Sequence, residues 1–67
     1  MTPKRLSQVL KALREAKGLT QDALAKKAKV TRPYITMLEA GVKKNPSLAT
    51  LKRLAKALGV KVTELVE

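Results

Sequence analysis

Apolar residues return at three- and four-residue steps along most of this chain, the period of helices that turn one face inward. Leu6, Val9, Leu10, Leu13 and Ala16 form the first such stripe and predict a helix from Lys4 to Lys17. Pro3 suits its first turn, where a missing N–H costs nothing. Gly18 suits its C-terminal cap, with Lys17 at the negative end of the helix dipole. Thr20 opens a second helix: its hydroxyl can accept from a free backbone N–H, and Asp22 sits near the positive end of the dipole. Leu24, Ala25 and Ala28 supply a narrow inner face, with Lys26 and Lys27 on the solvated outer side. Lys29 and Val30 make a turn. Thr31 caps a third helix from Arg32 to about Ala40, with Pro33 tolerated in its first turn and Gly41 as its stop. After a short loop, Ser47 caps a fourth helix that runs to about Leu58. Leu48, Leu51, Leu54, Ala55 and Leu58 point inward there, and Gly59 ends it. Val60 to Glu67 predicts one or two further helical turns, with Val62, Leu65 and Val66 apolar. No stretch alternates in the manner of a strand over a useful length. The pattern predicts an all-α fold of five short helices in a single domain, residues 1–67.

The second and third helices are joined by about three residues. That is too short for side-by-side packing, so they must cross steeply, as in a helix-turn-helix unit, and the later helix protrudes. At about 100° per residue, Ile35, Leu38 and Glu39 fall on one side of the third helix. Pro33, Thr36, Met37 and Ala40 fall on the other. If the first set packs inward, the outward set is small, uncharged and slightly apolar. A solvated face would normally carry Lys or Glu there; a face that enters a groove need not.

Charge narrows the partner. The 67 residues hold 15 basic and 5 acidic side chains, a net charge of +10. So strong a field on so small a chain points to a polyanion, nucleic acid first and an anionic membrane surface second. The membrane reading is disfavoured because the helices are short and their apolar faces are needed inside. No apolar run approaches the roughly 20 residues of a membrane span. The N-terminus lacks the apolar core of a signal peptide, so the chain is expected in the cytosol. Cysteine and histidine are absent, which removes thiolate and imidazole metal ligands, the Cys nucleophile and the commonest general base. The five carboxylates show no spacing suited to glycosidase or metal chemistry. Neither an enzyme, a cofactor, a metal nor a small-molecule substrate is expected.

The stretch LTQDALAKKAKVTRPYITMLEAG followed by NPSLATLKRLAKALGV resembles the Xre-type helix-turn-helix proteins, the family of lambdoid phage repressors and Cro. The likeness runs over nearly the whole chain. It is carried by Thr20-Gln21, Leu24-Ala25, Val30-Thr31, Ile35, Leu38-Glu39, Gly41, Pro46-Ser47-Leu48 and Leu58-Gly59-Val60. The resemblance implies a compact five-helix repressor-like domain, with the motif at about 20–41 and a recognition helix at 32–40. It implies a sequence-specific transcription regulator, most naturally a repressor that binds double-stranded DNA at a palindromic operator as a homodimer. It also implies a cytoplasmic, nucleoid-associated protein of a prokaryote or phage.

Base reading needs side chains that match base edges. Arg32 can make a bidentate contact to guanine O6 and N7. Thr36 can donate, accept or touch a thymine methyl. Pro33 and Met37 can make only apolar contacts, for which that methyl is the obvious target. Alternatively, Arg32 binds phosphate and the sequence is read through DNA shape. The resemblance assigns Gln21 to a backbone phosphate and to bracing the reading helix, and its place at a helix N-terminus suits an anion. Thr31 joins it as a backbone contact. Tyr34 either gives its hydroxyl to a phosphate or packs on the domain. Lys43 and Lys44 match positions that touch the opposite groove wall, and each would steepen the salt dependence by about one unit. Lys26, Lys27, Lys29 and Lys56 add general field.

Arg14 and Glu39 match positions that form an internal ion pair in the lambdoid repressors. Here they would join the first helix to the third, or else be unrelated surface charges. Lys29 departs from the family, standing where glycine is very common. A retained left-handed backbone there costs roughly 1 kcal/mol; otherwise the turn differs in shape. Val60, Val62, Leu65 and Val66 are candidates for dimer contacts, or they cap the monomer's own core. A phage or mobile-element repressor, a restriction–modification controller and an antitoxin-type autoregulator all fit, the last less well for want of a spare toxin-binding segment. The competing class is a helix-turn-helix protein- or RNA-interaction module.

Overall fold

The computed structural model describes residues 3–42 and 46–66. Its helices are α1 (Pro3–Ala16), α2 (Gln21–Ala28), α3 (Arg32–Glu39), α4 (Leu48–Leu58) and α5 (Thr63–Val66). No strand occurs among the described residues. The all-α, five-helix arrangement expected from the periodicity is the one observed.

Local chemistry starts each inner helix. The hydroxyls of Thr20, Thr31 and Ser47 accept from the backbone N–H groups of Ala23 (3.0 Å), Tyr34 (3.3 Å) and Thr50 (3.1 Å), respectively. Each satisfies a donor that the first helical turn would otherwise leave open. The four longer helices also end alike. A left-handed residue follows each one: Gly18, Lys29, Gly41 and Gly59. The next residue then donates its N–H five residues back, Leu19 to Arg14, Val30 to Ala25, Val42 to Met37 and Val60 to Ala55. This is the Schellman closure. Leu19, Val30 and Val60 turn back against the core, whereas Val42 is left 67% exposed.

Lys29 therefore keeps the left-handed backbone, with φ 61° and ψ 42°. The turn has the shape that glycine would give it, and a β-carbon occupies a conformation that disfavours one. The crossing of α2 and α3 is retained at that local cost.

All five helices meet in one core: Leu6 and Leu10 of α1, Leu24, Ala25 and Ala28 of α2, Ile35 and Leu38 of α3, Leu51, Leu54, Ala55 and Leu58 of α4, and Leu65 of α5. α3 packs on both α1 and α2, α4 packs on α2, and α5 touches α1 and α4. The alanines of α2 let α4 approach closely. Two positions differ from the apolar stripes, and a third settles an open alternative. Leu48, expected inside, is 59% exposed. It is the first residue of α4, and the inner place in that turn belongs to Thr50, whose hydroxyl accepts from Ser47 Oγ at 3.0 Å and Arg53 Nη2 at 3.4 Å. Ala16, in the last turn of α1, is also exposed. Leu65, a candidate dimer contact, is 1% exposed and belongs to the monomer's core. Val60 and Val62 are half-buried against that core, and the side chain of Val66 lies outside the described residues.

Replacing Lys29 by glycine removes the β-carbon from a left-handed position and keeps the closure. The variant is expected to be more stable by about 1 kcal/mol, seen as a higher urea midpoint at unchanged slope. An unchanged or lowered midpoint would mean the lysine side chain itself supports the turn.

Candidate nucleic-acid interface

The surface in question is the outer side of α3, and its definition begins with what holds the inner side. Ile35 is fully buried and Leu38 is 1% exposed. The Glu39 side chain is 4% exposed, and it faces an Arg14 side chain that is 11% exposed. A carboxylate so withdrawn from water requires a partner. Arg14 supplies two bonds, from Nε to Oε2 at 2.6 Å and from Nη2 to Oε1 at 3.0 Å. A third bond runs from Nη1 to the Leu19 carbonyl at 2.7 Å. The guanidinium thus ties the end of α1 to the last residue of α3. Its bonds to Glu39, and secondarily the carboxylate's charge, hold the Arg14 pKa above its ordinary value against the opposing effect of burial. The pair stays ionised on the arginine side throughout the biological range.

The chain of bonds continues outward. Gln21, the first residue of α2, donates from Nε2 to Glu39 Oε1 at 3.1 Å. Its Oε1 accepts from the Thr36 hydroxyl at 2.8 Å. A single polar path therefore runs from α1 through α3 to α2 and back to the outer side of α3. Gln21 braces α3 at two points one helical turn apart.

Arg32, Pro33, Thr36, Met37 and Ala40 are exposed, Met37 by 39%. These side chains form one continuous outer strip, with a cation at its N-terminal end and no charge beyond it. Thr31 is exposed at the same end, its hydroxyl engaged as the cap of α3. Tyr34 is half-buried and packs partly on the core. Gln21 is half-buried, next to this strip. Lys43 and Lys44 lie outside the described residues.

A second charged feature escaped the sequence reading. Lys27, Lys29, Arg53 and Lys56 line one cleft with Ala57, between the end of α2 and the later half of α4. Arg53 donates from Nε to the Ala28 carbonyl at 3.2 Å, which satisfies an open acceptor at the negative end of α2. The crowding of cations there raises the local potential. Lys26 contributes less, being paired with Asp22 at 3.1 Å across an exposed helical turn. The sequence held no local cue to Arg53, whose carbonyl partner is 25 residues away. The Gln21–Glu39 bond spans 18 residues; the resemblance implied that Gln21 braces the reading helix, but nothing in the spacing named Glu39 as the partner.

The profile of the HTH_3 family, described as helix-turn-helix, matches residues 10–65. The chain belongs to this family. An immunity repressor protein of Bacillus phage phi105 is 43% identical over 61 residues, which is 91% of this chain and 42% of the phage protein. This family member thus spans under half the length of that relative. Among solved structures, the restriction-modification controller protein C.AhdI from Aeromonas hydrophila superposes with a TM-score of 0.89 at 38% identity, covering 94% of each chain. A crystal structure of SinR, the master regulator for biofilm formation, in complex with DNA superposes with a TM-score of 0.89 at 32% identity. It covers 92% of this family member and 98% of that chain.

Removing Glu39 alone strands a nearly buried guanidinium. Glu39→Ala is expected to cost about 3 kcal/mol, whereas the double variant Arg14→Met/Glu39→Leu, with no charge left to strand, costs clearly less. Chemical denaturation of both checks this. Equal or additive losses would show that the two charges act independently.

Proposed function

We propose that this chain is a sequence-specific DNA-binding transcription regulator, a repressor that grips a palindromic operator as a homodimer through α3. The observation that carries the reading is the outer strip of α3: an exposed, chemically varied surface, uncharged beyond Arg32 at its N-terminal end, on a helix whose inner side is fixed by a buried ion pair. Rigid presentation of exposed side chains is what base recognition requires. The net charge of +10 supplies the sequence-independent attraction to phosphate. The likeness to a phage immunity repressor, a restriction-modification controller and a regulator solved with DNA supports the same reading.

In this reading residues 1–67 act as one DNA-binding domain. Arg32 enters the major groove and contacts guanine O6 and N7, while Pro33 and Met37 meet thymine methyl groups. Gln21, Thr31 and Tyr34, with Lys43 and Lys44, hold the flanking phosphates. A two-fold dimer sets the two reading helices about 34 Å apart, one turn of the duplex. With Leu65 buried, the dimer contact falls to other residues, Val60 and Val62 retaining only partial exposure for it.

Selection from random duplex DNA at physiological salt tests this. The expected result is a two-fold symmetric consensus, with Arg32→Ala losing preference at one position per half-site and about 1–3 kcal/mol of discrimination there. An Arg32→Ala consensus that matches the parent at lower affinity would make Arg32 a phosphate contact. Enrichment of no sequence at all, with binding governed by salt alone, would favour an interaction module instead.

A further inference from the structure

The bond path from Arg14 to Thr36 has a direction, and the direction reaches the surface. A guanidinium only donates, so Glu39 accepts from it at both oxygens, at 2.6 and 3.0 Å. A carboxylate only accepts. The Gln21 atom 3.1 Å from Glu39 Oε1 must therefore be its amide nitrogen; the reversed amide would set two oxygens against each other. That orientation turns the Gln21 carbonyl toward Thr36, whose Oγ1 lies 2.8 Å away. A carbonyl cannot donate, so the Thr36 hydroxyl supplies the proton. Among the described residues, the other acceptor within reach is the Arg32 carbonyl, at 3.1 Å. Both candidates for the single hydroxyl proton belong to the protein.

We propose that Thr36 reads DNA as an obligate hydrogen-bond acceptor, selecting an exocyclic amine in the major groove, N6 of adenine or N4 of cytosine. The inference rests on the reading of α3 as the recognition helix. A threonine hydroxyl is ordinarily ambivalent and serves either polarity of base edge. Here its proton is committed inward by a relay that starts at a permanent charge. With the proton so committed, the exposed hydroxyl has only lone pairs to offer a base. Guanine O6 or N7, or thymine O4, would meet a lone pair and be rejected. Gln21 and Glu39 act on this selection as positioning residues, without touching the base.

The experiment has two stages. Selections with the parent and Thr36→Val identify the base pair that Thr36 faces, as the one whose preference the valine erases; thermal melting confirms that the variant is folded. Base analogues are then placed at that pair in the selected duplex. Deleting the exocyclic amine, by purine for adenine or 2-pyrimidinone for cytosine, is expected to weaken parent binding about fivefold beyond any change seen with Thr36→Val. Thr36→Ser, which keeps the hydroxyl, should retain that sensitivity. Deleting the keto oxygen of the partner base should affect parent and valine variant alike. The proposal is overturned if the keto deletion is the one whose effect depends on Thr36, or if Thr36→Val erases no preference while the rest of the consensus stands. A parent selection that yields no consensus removes the DNA-reading role itself, a distinct outcome.

Discussion

The buried pairing of Arg14 with Glu39 is the constraint on which the rest depends. α3 is short and joined to α2 by a three-residue turn, so backbone connectivity alone leaves its tilt loosely held. Ile35 and Leu38 anchor it in the core, but apolar contacts tolerate small rotations. A bidentate guanidinium–carboxylate contact does not. By fixing the last residue of α3 to α1, and through Gln21 to the start of α2, the pair fixes which side chains stand outward. The cost of withdrawing two charges from water is met by four bonds within one small network.

The helices were legible because their boundaries are written locally. Thr20, Thr31 and Ser47 announce starts, and three glycines announce stops. Lys29 shows how firm that grammar is, since the left-handed closure persists without glycine. The stripes failed at Ala16 and Leu48 for one reason. Periodicity names the face of a helix that points inward but not how far along the helix the core extends, and both residues lie in terminal turns. Leu65 was ambiguous because an apolar residue near a chain end reads the same whether it closes its own core or a neighbour's.

The site was legible in part. The wheel separated Ile35, Leu38 and Glu39 from Pro33, Thr36, Met37 and Ala40, and the exposures follow that division. The link between Arg14 and Glu39 came only from family resemblance. The bond from Gln21 to Thr36 could not be read from spacing, because it exists only once α2 and α3 cross at a particular angle. The same holds for Arg53 and the cation-lined cleft beside α2. Long-range polar contacts are a property of the assembled fold, and the sequence names their participants without pairing them.

Methylation interference on the selected duplex tests the central claim, that α3 reads the major groove, most directly. Dimethyl sulfate marks guanine at N7, in the major groove, and adenine at N3, in the minor groove. Guanine N7 methylation within each half-site should block binding, while adenine N3 methylation should leave it intact. Interference confined to adenine N3, or absent from both, would contradict an α3 seated in the major groove.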